Sequence, residues 1–210
     1  WNRQLGTYGG DMAISVMGVI ASINMFFMMP LFGLSQGSQP LLGYNYGARK
    51  IDRVKRTLLL TIAVAVAISV FGFLMTLSFP VELIRIFNRD SEALIELGVD
   101  AMRIYFLSLP FMGYSIIASN YFQAVGKAKQ AIILIISRSA LLQIPAILIL
   151  PHFMGLKGVW LSSPLSMVGA TVLTGAWQWF EMRSLNRMKA HLAAGDPPVP
   201  GEDLAEQTIR

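Results

Sequence analysis

The sequence predicts an all-α fold, a polytopic bundle of membrane-spanning helices, and three observations carry that prediction. The chain is 54% hydrophobic and only 14% charged, against roughly 25% charged residues in soluble domains. Its mean hydropathy is +0.56. Five stretches (residues 13–42, 57–79, 99–124, 130–151 and 158–182) reach the roughly 20 apolar residues that a helix needs to cross a bilayer.

The first stretch is too long for one straight crossing. Pro30, Gly33 and Gly37 give it a hinge where the helix is weakened. It closes on Gln39, Pro40, Gly43, Tyr44, Asn45, Tyr46 and Gly47, read as a glycine-rich loop, and then on Arg49, Lys50, Arg53, Lys55 and Arg56. The second stretch is apolar throughout. Residues 80–100 follow as an amphipathic segment, with Val81, Leu83, Ile84, Ile86 and Phe87 set among charges, expected to lie along the outer interface. A short link with Lys127 and Lys129 joins the third and fourth spans, and Arg183, Arg187 and Lys189 follow the fifth. Residues 1–189 thus read as one transmembrane lobe. Residues 190–210, with GDPPVPGED and no periodic apolar positions, are expected to be a disordered tail.

Charge orients the bundle. The basic residues named in these loops all fall on one side, and the positive-inside rule puts that side in the cytoplasm. The C-terminus is then cytoplasmic, and the protein belongs in the cell's inner (plasma) membrane. Five spans with an outside start, opening on Trp1, suggest a piece of a longer protein.

Composition also narrows the chemistry. There is no cysteine, and the two histidines, His152 and His191, form no HExxH pair. No metal site, no catalytic residue and no cofactor are expected. The net charge of +5 is accounted for by the basic loops, so nucleic acid is not an expected partner; the lipid bilayer is.

Polar side chains within spans are costly unless they meet a partner or a cavity. Asn24, Ser35, Ser38 and Gln39 share one side of the first span if the helix keeps phase, and Ser108, Ser115, Ser119 and Gln123 share one side of the third. Thr171, Thr174 and Gln178 stand at i, i+3 and i+7 on the fifth. Serines and threonines in this setting are expected to bond across packed helices. The amides are numerous enough to suggest a wetted cavity, with Asn24, Gln36, Gln39, Tyr114, Asn120, Gln123 and Gln143 as candidate lining residues. Arg138, inside the fourth span, either snorkels to the surface or forms part of an inner gate. Embedded carboxylates are scarce, and Glu181 falls near a predicted interface. A carboxylate relay confined to these helices is not expected.

Gly33-Leu34-Ser35-Gln36-Gly37 admits three readings. As GxSxG it matches a hydrolase nucleophile elbow, which needs a strand-to-helix turn and a nearby histidine; the apolar helical surroundings argue against an intramembrane serine hydrolase. As GxxxG it is a helix-packing signal. With Pro30 it is a hinge. Packing plus hinge is the preferred reading.

The run QPLLGYNYGA at residues 39–48 resembles the loop after the eighth helix of multidrug and toxic compound extrusion (MATE) transporters. NRQLGTYGGDMAI resembles that family's link between helices seven and eight, and NYFQAVGKAKQA the end of helix ten and start of helix eleven. The resemblance covers about residues 1–185. It implies the C-terminal six-helix lobe of a twelve-helix pump, most of its first helix missing, with the N-terminal lobe as its absent partner. It also implies export of amphipathic cationic small molecules in exchange for H⁺ or Na⁺, by alternating access. The stretch LPFMGYS lacks the acidic residue that some Na⁺-linked members carry in helix ten, so an N-lobe carboxylate is implied as the coupling group. A related flippase for lipids or lipid-linked sugars is the alternative, and a purely structural anchor stands further off.

Overall fold

The computed structural model describes residues 2–88 and 91–194. Trp1 and residues 195–210, the greater part of the expected tail, lie outside the described residues. The helices run α1 Asn2–Gly47, α2 Ile51–Ser78, α3 Pro80–Arg85, α4 Glu92–Tyr105, α5 Leu109–Ala124, α6 Ala128–Ile136, α7 Ile144–Met154 and α8 Leu156–Ala194. A single 3-10 turn, Phe106–Ser108, joins α4 to α5, and a π-helical stretch, Ser137–Gln143, joins α6 to α7. Among the described residues, five units are long and apolar enough to cross a membrane: α1, α2, α4 with α5, α6 with α7, and α8.

These helices are built inside out relative to a water-soluble bundle. Along α2 the buried positions are Ile51, Val54, Leu58, Thr61, Ala65, Ser69, Gly72 and Thr76. That is one stripe at the helical period, and its second half is small or hydroxylated. Leu60 and Phe71, both 64% exposed, face away from it. Small residues let helix backbones approach, while a bilayer covers the large apolar side chains. Elsewhere Trp160, Phe106, Tyr121 and Phe122 fill the core, each almost fully buried.

Two glycines mark the closest approaches. A Cβ on Gly113 of α5 would lie 2.5 Å from the Ala65 carbonyl oxygen of α2. A Cβ on Gly43 of α1 would lie 2.9 Å from the Ala124 carbonyl oxygen at the end of α5. Both are distances that real side chains do not tolerate.

Three expectations are corrected here. The GYNYG run is not a turn: Gly43 to Gly47 are the last helical residues of α1. The turn falls at residues 48–50, and its left-handed position is Arg49, with φ of 56°. Gly43 is required for contact with α5, not for chain reversal. Second, α1 keeps helical dihedrals through Pro30, Gly33 and Gly37, and its backbone breaks at Gly10, with φ 64° and ψ −163°. Gly10 can adopt that conformation because it has no Cβ. Third, α8 continues through Ala194, so residues 190–194 are helical. Its last turns are tied to the start of α2, where Lys55 donates a hydrogen bond to the Asn186 side chain and Lys189 lies 2.7 Å from Asp52.

Candidate functional site

The hydroxyls of the spans are mostly satisfied close to home. Ser38 donates to the Ser35 carbonyl at 2.9 Å, and Ser108 to the Tyr105 carbonyl at 2.7 Å. Ser162 and Ser166 of α8 do the same toward Val159 and Ser163. Such bonds hide the hydroxyl in an apolar medium without needing another helix.

The amides divide into three groups. Asn120 of α5 donates to the Ser35 hydroxyl of α1, so these two residues fasten the helices together. Ser35 therefore sits on a regular helix with its hydroxyl engaged, and no nucleophile elbow forms. Asn45 likewise donates to the Leu41 carbonyl, at 2.7 Å. The second group lies on the lobe's surface: Gln36 and Gln123 are exposed, and Gln39 and Gln143 are half-buried. The third group is buried and unsatisfied. Asn24 Oδ1 and both polar atoms of Gln178 find no hydrogen-bond partner among the described residues, and neither does Thr171 Oγ1. Gln178 is only 7% exposed. An unpaired polar group of this kind costs on the order of 1–3 kcal/mol, so partners outside the lobe are called for.

Tyr114 is half-buried on α5, with its hydroxyl 3.6 Å from where a Cβ on Gly175 of α8 would stand. Gly33 and Gly37 have nothing within 4 Å of a Cβ, so neither packs against another helix of this lobe. Pro30 and Pro40 are exposed. Arg138 is half-buried within the π-helical stretch, a wider helix that recurs at functional positions. The residues of the expected loop motif are brought together differently from the cavity candidates. Tyr44 is exposed beneath Lys50, whose Nζ is 6.0 Å from its ring, and the Tyr46 ring has Lys127 Nζ at the same distance. Gly47 ends the helix.

The sequence reading missed one cluster altogether. Glu181 of α8 is buried, 7% exposed, with Lys127 Nζ 2.7 Å from both carboxylate oxygens. Tyr121 of α5 donates its hydroxyl to the same carboxylate at 3.1 Å. Lys127 thus reaches from the α5–α6 link to α8 and places its ammonium beside Tyr46 of α1. Placing Glu181 near an interface overlooked that α8 runs on well beyond it. The signal was present: Glu181 stands three residues after Gln178, on the stripe of Thr171 and Thr174.

The MatE family model matches residues 2–149. Multidrug export protein MepA of Staphylococcus haemolyticus (strain JCSC1435) is 29% identical over 160 residues, covering 75% of this chain and 34% of the relative. This chain therefore spans about a third of that protein's length. Among solved structures, the MATE multidrug transporter DinF-BH, in complex with R6G, is 39% identical, with a TM-score of 0.74 over 83% of this chain and 39% of the other. An outward-facing multidrug resistance MATE family transporter of the MOP superfamily superposes with a TM-score of 0.82 at 22% identity, over 89% of this chain and 42% of the other, a likeness of fold alone. A family model spanning most of the chain, with the fold to match, means that the chain belongs to the MatE family.

Proposed function

We propose that this chain forms the C-terminal lobe of a multidrug efflux transporter of the inner membrane, its basic end in the cytoplasm. The lobe works by alternating access against a second lobe, exchanging amphipathic cationic compounds for H⁺ or Na⁺. The carrying observation is the set of buried polar atoms left without partners inside the lobe, at Asn24, Thr171 and Gln178. In an apolar medium such atoms need water, substrate or the facing lobe, and a central cavity supplies all three. The exposed amides of Gln36 and Gln123 extend the polar surface toward the basic end. The printed names of the relatives, a multidrug export protein and a multidrug transporter, support the same substrate class.

Within this reading the amides contribute adaptable donors and acceptors while the aromatic Tyr114 offers a face to a cationic ring. Arg138, flanking the π-helical stretch, is suited to an inner gate. No carboxylate on the cavity-facing amide stripe is available to bind a coupling cation, since the Glu181 carboxylate is engaged by Lys127. The coupling carboxylate is assigned to the N-terminal lobe.

The test is efflux by the protein carrying both lobes. Gln39→Leu and Asn120→Leu each remove a hydrogen-bonding amide and are expected to slow ethidium efflux about tenfold at unchanged expression, the effect of roughly one lost bond. Unaltered rates in both variants would remove the cavity from the argument.

A further inference from the structure

The extension of α8 creates a feature that no span-by-span reading contains. Between the α1–α2 turn and the end of α8 lies a cavity of about 310 Å³, lined by Arg49, Lys50, Arg53 and Lys189. Asp52 also lines it, but its charge is matched by Lys189 at 2.7 Å. Three cationic side chains on one short turn are left to set its potential.

Two independent observations mark the turn as more than a connector. Arg49 holds a left-handed backbone, φ 56°, two residues after a glycine that stays helical. A non-glycine residue in that region costs about 1 kcal/mol, and the turn spends it on a residue that lines the cavity. Second, α2 begins here with Lys50 at its N-cap and no side chain capping it, so the positive end of the helix dipole adds to the basic side chains. The walls are also apolar in part: Ile51 and Leu192 complete the lining. One to two turns further along α2, Leu59 and Leu60 are 56% and 64% exposed. A basic pocket opening onto an exposed apolar helix face fits a headgroup with acyl chains beneath it better than a free anion.

We propose that this cavity binds the phosphate of an anionic phospholipid headgroup. The proposal rests on the reading of the basic end as the inner membrane surface, and it concerns lipid occupancy, not drug transport. A lipid held there would bridge the α1–α2 turn and the end of α8, reinforcing the Lys55–Asn186 and Lys189–Asp52 contacts.

The experiment uses the full-length protein purified in a neutral detergent. Binding is read by the rise in Tm on adding dioleoylphosphatidylglycerol, dioleoylphosphatidylcholine or inorganic phosphate, and by native mass spectrometry of retained lipid. The expected result is saturable stabilisation by phosphatidylglycerol alone. Neutralising the turn with Arg49→Gln, Lys50→Gln and Arg53→Gln together should weaken that affinity on the order of a hundredfold, from roughly one headgroup–cation interaction per residue. Arg49→Gly gives a signature that simple damage cannot mimic. It relieves the left-handed backbone, so Tm without lipid rises while phosphatidylglycerol affinity falls about fivefold. Equal affinity in wild type and the triple variant would overturn the proposal, as would equal stabilisation by phosphatidylcholine. So would stabilisation by inorganic phosphate alone, which means a free-anion site. Loss of affinity in a Lys129→Gln, Arg103→Gln control, remote from the cavity, would also overturn it by reducing the effect to overall charge. Each of these outcomes leaves the efflux reading standing, because none depends on transport.

Discussion

Glu181→Gln is expected to destabilise the protein by about 3 kcal/mol, the cost of leaving one member of a buried ion pair alone. The substitution keeps the shape of the side chain and removes its charge. Lys127, 26% exposed at its side chain, then has an ammonium in a largely desolvated site with no counter-charge. The Tyr121 hydroxyl loses an ionic acceptor at the same time. The measurement is denaturation in mixed micelles, with wild type and variant compared at equal lipid content. The same physics predicts the rescue. Tyr121→Phe, Lys127→Met and Glu181→Met together remove every polar member of the cluster, and stability should return to within about 1 kcal/mol of wild type. A Glu181→Gln effect of only a few tenths would show that water screens the pair. Failure of the triple variant to recover would show that the three side chains hold a geometry that packing alone does not.

Gly113→Val carries the second large effect. Helices α2 and α5 share the most extensive helix–helix contact among the described residues, and Gly113 sits where their backbones are closest. A Cβ there would meet the Ser69 hydroxyl and, at 2.5 Å, the Ala65 carbonyl oxygen. A hydroxyl can rotate away, but a helical carbonyl cannot move without its helix. Overpacking costs of about 1–3 kcal/mol are usual where side chains can adjust, and this position lies at or above the upper end. Adding Ser69→Gly should recover only part of the loss, because the carbonyl remains. The contrast is Gly33→Ala or Gly37→Ala, whose added methyl meets nothing within 4 Å. Those changes should be neutral or stabilising by up to about 1 kcal/mol through helix propensity. If they slow efflux while raising stability, flexibility of that segment is what transport uses.

Apolar length made the five crossings legible, because a backbone in hydrocarbon must satisfy itself as a helix wherever the run is long enough. Element ends were not legible to the same degree. Past Met182 the α8 sequence turns polar, and a hydropathy reading stops there. The helix continues because Asn186 and Lys189 bond to residues at the start of α2. The GYNYG run reads as a turn by glycine content, yet its first glycine serves the contact with Ala124. A contact partner that far along the chain leaves no local trace.

The sequence by itself determined that the chain is a membrane helix bundle, which end is basic, and which residues could line a polar surface. Only the tertiary structure decided how those polar residues are used. It gave Asn120 to Ser35 and Glu181 to Lys127, and left Gln178 without a partner. The reason is physical: in a bilayer both sides of a helix are apolar, so hydropathy specifies that a helix is embedded but not which side meets its neighbours. That choice falls to small residues and hydrogen bonds, which act only once two helices are in contact.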